Sequence, residues 1–215
     1  MTAEFEPRYL AVEGPIGVGK TALVEILAQR LQARAVLEAA EENPFLKEFY
    51  RDMPRYAFQA QLYFLLTRYR QQQELAQFDL FRQRLISDYL FPRDRIFAHL
   101  TLDDHELALY EKIHALLEAR TPKPDFVIYL QADVDALYKR IAIRGRAYER
   151  GIPRGYLEDV VQAYNHFFFH YTDTPLLVVN TTEIDFVKRK GDLEDLINQV
   201  QSIKRGTRYY VPLGS

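Results

Sequence analysis

Eight consecutive residues, Gly14-Pro15-Ile16-Gly17-Val18-Gly19-Lys20-Thr21, fit the pattern G-x-x-x-x-G-K-[ST]. Glycines let a backbone curl until successive N–H groups face one point, and the start of a helix adds positive potential there. The lysine reaches outer phosphates and the threonine hydroxyl can bind Mg²⁺. Such a loop works between a strand and a helix, and both neighbours are present. Tyr9-Leu10-Ala11-Val12 is a short apolar run, and Thr21 to Gln32 places Leu23, Leu27 and Leu31 on one stripe. The segment reads as a nucleoside-triphosphate site; a glycine-rich turn that only joins strand to helix is the plain alternative.

Several acids and amides then supply an acceptor side. Glu38 closes the run Ala35-Val36-Leu37, and strand C-termini in open α/β sheets line the ligand crevice. A carboxylate there can accept the proton of an attacking hydroxyl; Glu41 and Glu42 follow closely and compete for the role, and a solvated loop charge is the bland reading of each. Gln61 shares a helical stripe with Phe58, Leu62 and Leu65, so its amide turns inward, and Arg68 lies on nearly the same face. That amide suits either a nucleobase edge or a structural hydrogen bond. Asp88 ends the third predicted strand in Ile86-Ser87-Asp88-Tyr89, a place where an acid holds Mg²⁺ in phosphate-loop proteins or caps a helix. Arg140, Arg144, Arg146, Glu149 and Arg150 cluster around Gly145, as a lid that closes on a triphosphate or as a solvated basic loop. The five histidines show no metal-ligand spacing.

Elements must position these residues. Short apolar runs at 9–12, 35–37, 85–86, 126–130 and 176–179 read as strands buried on both faces, hence a parallel sheet. Helical spacing covers 21–32, 54–77, 103–119, 134–143, 156–171 and 192–203. Alternation of the two predicts a doubly wound α/β fold in a single domain spanning 1–215. The run Phe167-Phe168-Phe169 covers too much of its helix for one core stripe, which suits a subunit interface or a fully buried helix.

Composition narrows the partners. A net charge of -2 gives no basic field for a nucleic-acid backbone, no run of eighteen apolar residues crosses a membrane, and the absence of cysteine removes thiol chemistry and suits the cytoplasm. Twenty of the 28 basic residues are arginine, a phosphate-fork bias or a general compositional one.

Taken in order, these pieces resemble the deoxynucleoside kinase family from about Arg8 to about Ile203. The specific parts are the phosphate loop, the spacing of Tyr50, Gln61 and Arg68, and Arg144-Gly145-Arg146 followed by Glu149 and Gly151-Ile152-Pro153. The resemblance implies a phosphate-loop kinase fold with a five-stranded parallel sheet flanked by helices, an Arg-rich lid at about 144–153, and a helical homodimer interface. It implies Mg²⁺ and ATP, or another NTP, as donor system and a deoxynucleoside 5'-hydroxyl as acceptor. By the same resemblance Glu38 is the general base, Tyr50 and Glu149 hold the sugar 3'-hydroxyl, Gln61 reads the base and Phe97 stacks on it. Arg140 and Phe186 clamp the donor adenine, and Arg140, Arg144 and Arg146 match the lid arginines; the loop motif itself puts Lys20 on the phosphates and Thr21 on the metal, with Asp88 added by its place at the strand end.

Departures are informative. Many relatives carry Glu-Arg-Ser after the third strand, whereas this chain has Ser87-Asp88-Tyr89, which moves the acidic role to Asp88 and leaves an arginine missing. A lid arginine, Arg93 or Arg95 is the candidate replacement. Arg93-Asp94-Arg95 aligns in two registers, and Asp94 is the favoured base-reading acid. Ser87-Asp88-Tyr89, Asn43-Pro44-Phe45-Leu46 and the short chain resemble the bacterial purine branch, and Ala40 and Ala60 leave room for a purine. The rivals are a nucleoside monophosphate kinase, which needs a cationic site where Glu38 stands, and a regulatory NTP-binding module that transfers nothing.

Overall fold

The computed structural model describes residues 7–78, 84–183, 190–203 and 205–211. Its centre is a parallel sheet of β1 (Tyr9–Glu13), β2 (Arg34–Val36), β3 (Leu85–Ser87), β4 (Phe126–Gln131), β5 (Leu176–Asn180) and β6 (Thr207–Tyr210), in the order β2-β3-β1-β4-β5-β6. Leu10 pairs with both Ile86 and Phe126, so β1 is central and its C-terminal end opens onto the crevice between its neighbours.

Among the described residues the sheet has six strands, one more than the sequence predicts. β6 pairs with β5 from Leu176–Thr207 onward, but Thr207-Arg208-Tyr209-Tyr210 is largely exposed. An edge strand needs no continuous apolar run, so a reading based on such runs passes over it.

Strand side chains alternate between two cores. Leu10, Val12, Ile128 and Leu130 pack against α1 (Lys20–Leu31), α6 (Val134–Arg144) and α8 (Lys190–Ser202). Ala11, Val127, Tyr129 and Val178 face α4 (Asp94–Thr101) and α7 (Arg154–Phe169). In α7, Tyr164 and Phe168 are buried while Phe169 is 76 % exposed, so the aromatic run is divided between core and surface. Two helices, α3 (Met53–Phe78) and α5 (Asp104–Glu118), pack together, and the short α2 (Leu46–Phe49) leads into α3.

Local signals set the helix ends that shape the site. Asp133 caps α6, its Oδ1 accepting the Ala136 N–H at 2.7 Å, and Gly145 stops the helix in the left-handed region at φ 67°. The chain leaves α6 there to form the segment that carries Arg146 and Glu149. Asp103 and Glu106 form a capping box at the start of α5. Among the described residues no helix is long and apolar enough to cross a membrane.

Candidate active site

The phosphate loop follows β1 directly. Gly14 has φ 153°, and a Cβ there would stand 2.4 Å from the Leu130 carbonyl oxygen; at Gly17, φ 86°, it would meet Ile141 Cγ1 at 2.7 Å. Both positions therefore need glycine. Gly19 precedes α1 without any side-chain cap, which leaves the first-turn amides of that helix to a ligand. The Lys20 ammonium donates to the carbonyls of Gly14 at 2.7 Å and Pro15 at 3.2 Å. Burial and the neighbouring Arg93 charge lower its pKa to about 8, with Glu13, Asp88 and Glu38 acting in the opposite sense.

Thr21 and Asp88 meet at the mouth of the crevice. The Thr21 hydroxyl donates to Asp88 Oδ2 at 2.6 Å, and Asp88 Oδ1 accepts the Glu38 backbone N–H at 2.8 Å. Among the described residues no three His, Cys, Asp or Glu side chains gather into a metal cage. One hydroxyl and one carboxylate beside the phosphate loop are hard oxygen donors, a set that fits Mg²⁺ completed by phosphate and water oxygens.

Glu38 sits between two guanidiniums. Arg68 Nη2 pairs with Glu38 Oε1, and Arg93 Nη2 donates to Oε2 at 2.7 Å. Burial pushes the Glu38 carboxyl up, but Arg68, Arg93 and Lys20 outweigh it and hold the group at about 2. Of the three clustered glutamates, Glu38 lines the cleft, whereas Glu41 and Glu42 are exposed. Arg68 also pairs with Asp94, which is buried behind it and does not line the cleft. Arg95 pairs with Glu111 at 3.0 Å away from the cleft, so of the two arginines flanking Asp94 only Arg93 reaches Glu38.

The cleft itself is about 630 Å³, in the range that suits small-molecule sites. Gln61, Arg68 and Phe97 line it, and among the described residues Gln61 Nε2 has only a long contact of 3.5 Å to Thr101 Oγ1. Phe97 stands edge-on to Tyr164 at 5.9 Å between ring centroids, with the Arg93 guanidinium 5.5 Å from its own ring centre. Burial, then Tyr156 and Glu149, hold the Tyr50 phenol well above its ordinary pKa, so it is a neutral donor at working pH.

Arginines close the other side. Arg144 grips Glu149 by two bonds, Nη2 to Oε1 at 2.5 Å and Nε to Oε2 at 3.1 Å. Arg146 donates to the Tyr148 hydroxyl at 2.8 Å. Arg140 donates to Thr181, at 2.5 Å to its carbonyl and 3.1 Å to its hydroxyl. Phe186, the expected partner of Arg140 on the donor base, lies outside the described residues.

A family model for deoxynucleoside kinases matches residues 10–204. The chain belongs to the deoxynucleoside kinase family. It is 36 % identical over 200 residues to the deoxyguanosine kinase of Bacillus subtilis (strain 168), covering 91 % of this chain and 97 % of the relative. The deoxyadenosine/deoxycytidine kinase of the same organism is 29 % identical, with 90 % and 92 % covered. A solved structure of deoxyadenosine kinase from M. mycoides, with the products dCMP and a flexible dCDP bound, superposes with a TM-score of 0.79 at 27 % identity, covering 91 % of this chain and all of that one. The same protein with dATP bound also gives 0.79.

One residue of this deoxynucleoside kinase's site went unread in the sequence. Glu13 is wholly buried at the end of β1, against the phosphate loop and Arg93. The signal was available: an acid closing an otherwise apolar strand immediately before Gly14 is costly to bury unless it is paired.

Proposed function

We propose that this deoxynucleoside kinase transfers the γ-phosphoryl group of an NTP, ATP in the first instance, to the 5'-hydroxyl of a purine deoxynucleoside, yielding the 5'-monophosphate for nucleotide salvage in the cytoplasm. The observation that carries the reading is the ionised Glu38 carboxylate in the cleft it shares with Lys20 and Thr21. A carboxylate there suits a neutral alcohol, whose proton it can take, whereas the attacking oxygen of a substrate that already bears phosphate is ionised and needs no proton acceptor. Glu38 accepts the hydroxyl proton as the oxygen forms its bond to the γ-phosphorus and the bond to the β-phosphate oxygen breaks. Lys20, Arg144 and Arg146 neutralise the equatorial charge, and little covalent work falls to the protein. Thr21 and Asp88 would hold Mg²⁺, which when bound offsets the charge of the phosphate oxygens.

On the acceptor side, Tyr50 and Glu149 take the sugar 3'-hydroxyl, Gln61 and Asp94 read the base, the latter through Arg68, and Phe97 stacks on it. Arg140 and Phe186 enclose the donor base. Purine preference is supported by the small Ala40 at the cleft wall and by relatives named for deoxyguanosine or deoxyadenosine alone. Leu109 and Leu116, seven residues apart on α5 and so on one helix face, are 50 % and 72 % exposed, which supports a homodimer through that helix.

Steady-state phosphorylation of deoxyadenosine, deoxyguanosine, deoxycytidine, thymidine and the purine deoxynucleoside monophosphates tests the reading. Turnover confined to monophosphates overturns the acceptor, a clear pyrimidine preference overturns the purine assignment, and no turnover at all favours a regulatory module.

A further inference from the structure

Glu13 ends the central strand, and its carboxylate is fully buried. By the alternation of β1 its side chain shares the face of Ala11, toward α7 and the acceptor half of the site, while its backbone runs directly into the phosphate loop. Four groups converge on it. The Gly14 N–H donates to Oε2 at 3.0 Å, the Leu90 N–H to Oε1 at 2.7 Å and the Tyr164 hydroxyl to Oε2 at 3.2 Å. Arg93 Nη1 stands 3.4 Å from Oε1.

The two amides donate to different oxygens, Leu90 to Oε1 and Gly14 to Oε2, so the position calls for a group with two acceptor oxygens. Burying a full charge is costly, and the partner that calls for one is Arg93. Its guanidinium is split: Nη1 faces Glu13 and Nη2 faces Glu38. Leu90, held by Glu13 through its N–H, accepts the Arg93 backbone N–H through its carbonyl at 3.0 Å, so the same carboxylate fixes both ends of that arginine. Gly14 is fixed in parallel, its N–H on Glu13 and its carbonyl on Lys20.

We infer that Glu13 is a positioning residue for phosphoryl transfer: it orients Arg93 so that one guanidinium nitrogen meets Glu38, and it sets that arginine in register with the first amide of the phosphate loop. Without the Glu13 charge the fork is free to turn and take Glu38 with both terminal nitrogens, which occupies the lone pairs that the substrate hydroxyl needs. The inference rests on the reading of Glu38 as the proton acceptor.

A double-mutant cycle on kcat tests it. Glu13→Gln is expected to lower kcat at least about tenfold while both KM values stay within about threefold, because the residue touches neither substrate. Arg93→Gln lowers kcat further, and the double variant falls no more than about threefold below Arg93→Gln alone, since Glu13 acts through that arginine. Losses that multiply, or a wild-type kcat in Glu13→Gln, overturn the inference. Tyr164→Phe, which removes one contact of the carboxylate and leaves Arg93 untouched, is expected to keep kcat within about threefold; a loss as large as that of Glu13→Gln means packing alone and also overturns it. If Glu13→Gln does not fold, Glu13→Asp enters the same cycle, keeping the charge and shortening its reach. Glu38→Gln in the same assay separates the two readings: full activity there overturns the site, whereas an impaired Glu38→Gln with multiplicative losses overturns only the coupling.

Discussion

Thr21 Oγ1 and Asp88 Oδ2 are 2.6 Å apart, which joins the end of the phosphate loop to the end of β3 through two oxygens that both suit a hard cation. The other Asp88 oxygen accepts the Glu38 amide, so the proposed metal site and the proposed proton acceptor share one anchor. Asp88→Asn is expected to raise the Mg²⁺ concentration for half-maximal velocity about tenfold or more, with the deoxynucleoside KM nearly unchanged. Titration of Mg²⁺ at saturating substrates measures it, and an unchanged requirement removes Asp88 from the metal site.

Glu38 carries the proton acceptor's role in the proposed reaction. Glu38→Gln is expected to lower kcat about a hundredfold with modest change in KM. Retained activity would move the role to Glu41 or Glu42. The pH dependence has a definite sign. The folded carboxyl is held at about 2 against an ordinary 4.5, so between those values the unfolded chain binds the extra proton. The stability that Glu38 contributes is therefore present above pH 4.5 and fades as pH falls toward 2. Urea unfolding at pH 6 and pH 3 should show the gap between wild type and Glu38→Gln shrinking in acid; a gap that grows contradicts the ion pairs with Arg68 and Arg93.

Arg93 and Arg95 are separated by one residue and stand in different surroundings, Arg93 buried on Glu38 and Arg95 at the surface on Glu111. Arg93→Gln is expected to cost about a hundredfold in kcat, as for loss of a preorganised donor in a dry site, and Arg95→Gln less than about threefold. Kinetics of the two variants side by side decide it, and equal effects would deny Arg93 the place of the arginine that Ser87-Asp88-Tyr89 lacks.

The phosphate loop and five strands were legible because their signals are local: glycines at fixed spacing, and apolar runs buried on both faces. The sixth strand was not, since Thr207 to Tyr210 carries an edge that solvent accepts. α4 is only eight residues long, and the choice between Arg93 and Arg95 depends on where that short helix starts. Glu13 belongs to another class. Its partners are spread from Gly14 to Tyr164, and only the packed sheet brings them to one carboxylate.

Tyr50 gives a test of the sugar end. Its phenol is held neutral by burial and by the nearby Tyr156 and Glu149, so at any working pH it donates a hydrogen bond and does not compete as an anion. Glu149, fixed by two bonds from Arg144, is the matching acceptor in the proposed site. A 3'-hydroxyl can then donate to Glu149 and accept from Tyr50 at once. Tyr50→Phe removes one of those bonds, worth about 1 kcal/mol, and should raise the KM of a 2'-deoxynucleoside about fivefold to tenfold. The same substitution should leave the KM of the 2',3'-dideoxy analogue nearly unchanged, because that substrate has no hydroxyl to lose. Initial rates with the two substrates on both proteins measure the difference, and an equal rise for both would place Tyr50 in packing and remove it from sugar recognition.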